Sequence, residues 1–169
     1  YRSTPLEIRV HGDWATVESI DEATAPTQIN EGDSVTPGKL VSRSRGLLYL
    51  HRMGATWEIR SDYTLYEQAT ILYGPLQDID ITLSTPEQVF AGEAYTAKVD
   101  VNLPPTSIAF ATISREPLVY PQIKPKDKFR TLSSEKQTLE RIFEANTLNT
   151  NEIVTATLGL TQIGQDQHE

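Results

Sequence analysis

On both sides of Gly54 the chain alternates apolar and polar residues with period two, and a two-residue glycine turn joins the two runs. Such a pattern fits a half-buried hairpin and little else. Strands are predicted from about Leu40 to Arg52 and from Thr56 to about Tyr66, with the turn on Met53-Gly54 or Gly54-Ala55. Either turn gives one parity. Leu48, Leu50 and Arg52 share a face with Trp57, Ile59, Ser61, Tyr63 and Leu65. Leu47, Tyr49, His51, Glu58, Arg60, Asp62 and Thr64 take the other, where a His51–Glu58 pair and a Tyr49–Arg60 stack are expected.

An upstream hairpin follows the same grammar. Leu6, Ile8 and Val10 alternate with Glu7, Arg9 and His11, and Gly12-Asp13 supplies the turn. That turn pairs residue 11 with 14, 10 with 15 and 8 with 17, so the apolar set joins Ala15 and Val17 on one face. Glu7 then opposes Glu18, with Arg9 between them. A slip of one residue would scramble both faces. Residues 21–38, rich in Thr, Asp, Glu, Pro and Gly, read as a long solvated loop between the hairpins.

Tyr73-Gly74-Pro75 marks a predicted boundary between modules 1–74 and 75–169. Beyond it, Ile79, Ile81 and Leu83 alternate, then Tyr95 through Leu103, and Ile108 to Ser114 forms a further strand. Short strands spaced by turn residues predict an antiparallel β-sandwich. Residues 133–146 admit two readings. Ser134 with Gln137 resembles a helical capping box, whereas the turn-rich TLNTNE that follows favours a terminal hairpin of about 139–146 with 152–161. The expected fold class is therefore mostly β, a curved antiparallel meander followed by a sandwich. No internal repeat is present, and the tail QIGQDQHE reads as frayed.

Composition narrows the chemistry. The net charge is −8, with seven basic and ten acidic residues up to Gly74 and eight and thirteen after it. Both halves are acidic, which argues against a nucleic-acid backbone as the main partner. The absence of cysteine removes disulfides and thiolate chemistry and leaves the compartment open. No apolar run reaches the length of a membrane span, and no signal peptide is evident. The chain opens at Tyr1, which reads as a processed or truncated product.

No nucleophile elbow, phosphate loop, dinucleotide fingerprint or zinc motif occurs. His11, His51 and His168 fit no local metal spacing and read as surface residues. Asp78 and Asp80 read as a solvated pair rather than the seed of a calcium site. Lys124, Lys126, Lys128 and Arg130 alternate through IKPKDKFR, so period two would gather them into the one dense basic patch of an acidic molecule. That patch suits a protein partner or, more simply, a charged edge strand that discourages aggregation. No cofactor is expected.

The order of GDWATVE, a long loop and LLYLHRMGATWEIRSDYTLY resembles the closing four-strand meander of the NTF2-like (cone-shaped α+β) superfamily, over about residues 5–67. The resemblance implies a curved sheet wrapped around helices that enclose an apolar cavity. Here Leu48, Leu50, Trp57, Ile59 and Tyr63 would line it. In that family the helices precede these strands, and nothing helical precedes Leu6. Either they lie outside this chain or the likeness is to the meander alone. The segment ITLSTPEQVFAGEAYTAKVDVNLPP resembles the first two strands of immunoglobulin-like or fibronectin-III-like modules, a pattern common in bacterial surface proteins. That likeness alone points to extracytoplasmic placement. Proton-transfer catalysis needs a carboxylate or histidine inside the cavity, and the predicted parity puts Glu58, Asp62 and His51 on the far face. The expected role is a non-enzymatic binding or interaction module with a protein partner or a second copy of itself. The alternative is small-molecule binding or catalysis in a completed cone.

Overall fold

The computed structural model describes residues 1–74, 79–105, 107–122, 128–132 and 137–162. The chain divides into two compact units, Tyr1–Gln77 and Asp78–Glu169. Both are built from antiparallel strands, as the alternating patterns require.

The first unit is one four-stranded meander in sequence order: β1 (Arg2–His11), β2 (Trp14–Glu31), β3 (Ser34–Met53) and β4 (Thr56–Tyr73). Three two-residue turns join them, each with glycine first, and Gly12, Gly32 and Gly54 have φ of 60°, 59° and 65°. Positive φ at the first turn position and not at the second is the mark of a type II′ turn, whose twist suits a hairpin. The third turn therefore falls on Gly54-Ala55, with Met53 opposite Thr56.

The first hairpin has the register its alternation predicts, Val10 opposite Ala15, Ile8 opposite Val17 and Glu7 opposite Glu18. Leu6 departs from it. A bulge between Pro5 and Glu7 leaves Leu6 without a partner, next to a proline that has no N–H for the ladder. The expected loop at 21–38 is not a loop. Asp21 to Glu31 continues β2 and Ser34 to Gly38 begins β3, paired without a break from Asp21–Ser44 to Glu31–Ser34. The polar composition misleads because the half-buried positions up to Thr27 are filled by Asp, Ala and Thr, and beyond the Thr27–Gly38 pair a two-stranded ribbon exposes both faces. Thr24, Thr27, Ile29, Val35, Thr36 and Val41 are β-branched and strand-forming even where they are wet.

The second unit has two three-stranded sheets. One is β5 (Ile81–Ser84), β6 (Ala94–Val101) and β9 (Thr138–Glu144), in the order β5-β6-β9. The other is β7 (Ser107–Pro117), β8 (Arg130–Leu132) and β10 (Glu152–Gln162), in the order β10-β7-β8. Between them lies the core of Ala97, Val99, Val101, Leu103, Ala109, Ala111, Ile113, Leu132 and Leu139. Burying a side chain such as Val99 or Ile113 contributes about 1.5–3 kcal/mol. The structure makes 138–144 a strand, not a helix, although Ser134 of the capping-box reading lies outside the described residues. It also corrects the terminal hairpin: β9 pairs with β6, β10 pairs with β7, and the TLNTNE segment crosses from one sheet to the other. Two arginines tie the sheets together. Arg141 Nη1 donates to the Ile113 carbonyl at 2.6 Å, and Arg115 donates to the Glu144 carbonyl. Their guanidinium groups lie over the Phe143 ring, 4.9 Å and 5.8 Å from its centroid.

Candidate interaction face

The first unit buries almost nothing. Ala15 and Ser19 are its only buried residues among those described, so the character of its two sheet faces is written in exposed side chains. Register decides which residues share a face, because directly opposed residues of an antiparallel pair point the same way.

Between β2 and β3 the pairing is regular from Trp14–His51 to Glu31–Ser34. Between β3 and β4 it is not. Leu50 opposes Ile59, but Tyr49 opposes Ser61, so Arg60 is an extra residue in β4. A second bulge leaves out Leu65, between the pairs Gly46–Thr64 and Arg45–Tyr66. Each bulge flips the parity of the residues that follow. Past Arg60, Asp62 comes opposite Leu48 and Tyr63 opposite Leu47.

Four of the expected assignments therefore reverse, those of Ser61, Asp62, Tyr63 and Thr64. Tyr63 leaves the face of Trp57 and lies beside Tyr49 on the other side, edge to face with centroids 5.8 Å apart. It drops out of the expected set of Leu48, Leu50, Trp57, Ile59 and Tyr63. Asp62 moves the opposite way, onto the face of Leu48 and Leu50. The bulge also removes the expected Tyr49–Arg60 stack: Arg60 pairs with Glu58 at 3.1 Å. His51 stands opposite Glu58 as predicted, but its ring rests on Trp14, with centroids 4.4 Å apart.

One face is thus apolar in its middle. Ile8 and Val10 from β1, Ala15 and Val17 from β2, Leu48 and Leu50 from β3 and Trp57 and Ile59 from β4 form a band across all four strands. Ile8, Val10, Trp57 and Ile59 are 60%, 62%, 40% and 61% exposed, while Val17, Leu48 and Leu50 are partly buried. Ile8 and Val10 are readable from their own hairpin. Joining them to Trp57 needs the β2–β3 pairing, which a loop at 21–38 would hide.

The two ends of the band differ in charge. At the turn end stands Arg52, opposite Trp57 and 5.8 Å from its ring centroid, bound through Nε and Nη2 to Asp13 Oδ1 at 3.0 and 2.7 Å. At the far end stand Asp62 and Asp21. Asp21 accepts the Tyr1 hydroxyl at 2.7 Å and the Ser19 hydroxyl at 3.2 Å. Hydrogen bonds from Ser3, Tyr1 and Ser19 hold its carboxyl below the usual range, and the same carboxylate raises the Tyr1 phenol. Gly46 lies beside it, leaving a saddle where a Cβ would come within 3.9 Å of Asp21 Oδ2.

The other face carries ion pairs beside aromatic side chains, Trp14 against His51 and Tyr49 against Tyr63, with Trp14 and Tyr63 53% and 57% exposed. Glu7 and Glu18 oppose one another, and each is neutralised, Glu7 by Arg9 at 2.6 Å and Glu18 by Arg45. Arg43 pairs with Glu22 at 3.8 Å. Exposed pairs of this kind contribute little to stability.

In the second unit, Lys128 and Arg130 are exposed and border a groove of about 270 Å³ with Thr112, Glu140 and Arg141. Lys124 and Lys126 of the expected basic patch lie outside the described residues, as do Asp78 and His168. Asp80 lines a cleft of about 360 Å³ with Asp100, Asn102 and Thr138. Asp100 is already engaged there, by the Thr138 hydroxyl at 2.7 Å and Lys98 at 3.0 Å. Among the described residues no three His, Asp or Glu side chains gather as metal ligands, and no helix is long and apolar enough to cross a membrane. No family model, curated protein or solved structure matches the chain.

Proposed function

We propose that this protein is a non-enzymatic interaction module that binds a protein surface through the apolar face of its first unit. The observation that carries the reading is the band itself. Eight apolar residues from four strands share one face, and four of the larger ones stay at least two-fifths exposed. Such a patch measures roughly 400–600 Å², the size that marks interaction sites on soluble proteins. Trp57, at the turn end of the band on edge strand β4, is the residue type most enriched among interface anchors.

The geometry favours binding over chemistry. Asp62 does face the band, so the parity objection to a catalytic carboxylate falls. Yet Asp62 is exposed, and Leu48 opposite it is only partly buried. Nothing about that position excludes water, as general acid–base work requires.

The test is fractionation of extract from the cells that make the protein. The chain is expected to elute in an assembly larger than its own 18.9 kDa, and an Ile8→Lys, Ile59→Lys variant is expected at the size of the bare chain. If the variant elutes in an unchanged assembly, the apolar face is not the binding surface.

A further inference from the structure

Resting on that reading, we infer that the occupant of the apolar face is a second copy of the same chain, packed face to face about a two-fold axis that runs across the strands at the level of Leu50 and Ile59. Charge placement carries the inference. Arg52 lies two residues to one side of that level on β3, and the Leu48–Asp62 pair lies two residues to the other side. An axis across the strands reverses strand direction and keeps strand order, so each β3 crosses the other copy's β3 antiparallel. Arg52 of one copy then comes over the Leu48–Asp62 rung of the other, and the reciprocal contact forms by symmetry.

The apolar face is thus self-complementary. It carries the Arg52–Asp13 pair at one end and the carboxylates of Asp62 and Asp21 at the other, with uncharged residues between. Arg52 keeps N–H donors beyond the two that reach Asp13, and Asp62 has no ion pair among the described residues. Stacked sheets sit about 10 Å apart, a gap that an arginine and an aspartate span together. Two such bands closed on each other would remove roughly 800–1,200 Å² from water, at the lower end of specific interfaces. A dimer that dissociates on dilution is the expected behaviour.

Sedimentation of the purified chain with two charge reversals tests this. The unaltered protein should be a dimer at high concentration. Asp62→Arg alone places two arginines together in each contact, and Arg52→Asp alone places two aspartates together. Each should weaken association about tenfold or more. An equimolar mixture of the two variants should dimerise again. In the mixed pair the arginine introduced in one variant meets the aspartate introduced in the other, while the unaltered Arg52 meets the unaltered Asp62. Recovery on mixing cannot come from a misfolded variant. A dimer indifferent to both reversals, or a mixture that stays monomeric, overturns the inference. So does an unaltered chain that is monomeric at every concentration. In that last case the extract experiment separates the failures: an assembly lost with Ile8→Lys, Ile59→Lys leaves the interaction reading standing with a different partner, and no assembly removes both.

Discussion

Gly38 stands where any other residue would collide. A Cβ added there would lie 2.5 Å from Tyr73 Cδ1 and 2.7 Å from the Leu72 carbonyl oxygen. The tyrosine ring can swing aside, but the β4 backbone cannot. Gly38→Ala is therefore expected to destabilise the first unit by about 1–3 kcal/mol. Trp14 and Trp57 are the only tryptophans and both lie in that unit, so urea unfolding followed by their fluorescence checks it. An unchanged midpoint would mean that the Leu72 carbonyl does not crowd Gly38. In the second unit, Ile113 is 1% exposed within the core, and Ile113→Ala should cost about 2–5 kcal/mol by calorimetry. Asp21 links a residue to pH. Its carboxyl sits below the usual range because Ser3, Tyr1 and Ser19 donate to it. A carboxyl depressed in the folded state stabilises above its unfolded value, near pH 4, and that contribution is lost as pH falls through the folded value. The tryptophan-detected midpoint should fall on acidification below pH 4, and fall less in Asp21→Asn. Equal acid sensitivity in both proteins would contradict the role given to these hydroxyls.

Among the elements, the reach of β2 and β3 and the bulges of β4 are the parts the sequence conceals. Each strand around Gly12 and Gly54 is legible because apolar and polar residues alternate where one face is less wet than the other. Between Asp21 and Thr27 the less wet positions hold Asp, Ala and Thr, between Gln28 and Val35 the contrast vanishes, and a third glycine turn, Gly32-Asp33, reads as loop although it repeats the Gly12-Asp13 pair. The bulges at Arg60 and Leu65 leave no such trace. Arg60 is an ordinary polar residue in an alternating run, and only the pairing with β3 shows that it is supernumerary. As a result Leu48, Leu50, Trp57 and Ile59 share the face their alternation predicts, and Tyr63 and Asp62 exchange faces. Nuclear Overhauser contacts settle the register: cross-strand contacts are expected from Leu48 to Asp62 and from Tyr49 to Tyr63. Contacts from Leu48 to Ser61 instead would restore the uninterrupted pairing. The ribbon beyond Gly38 has only two strands, because β4 ends opposite that residue. A lone two-stranded ribbon is marginal in water, so amides of residues 27–36 should exchange with solvent faster than those of 14–21.

For the molecule, the contrast between the two units is the informative feature. The second holds a sealed core in which every large fully buried side chain of the described residues lies, Val99, Ile113 and Leu132 among them. The first spends about half again as much strand on a sheet whose apolar face stays wet. The conformational cost of ordering such a sheet is met more readily when that face is covered. The chain is acidic on both sides of Gly74, which disfavours a nucleic-acid backbone as the cover. The most direct measurement is a photo-reactive amino acid in place of Ile59, activated in the cells that make the protein, with the same residue in place of Lys98 as the comparison. A discrete cross-linked protein is expected from position 59 and none from position 98. Absence of any product at 59, or the same products from both positions, would contradict the claim that the apolar face is a docking surface.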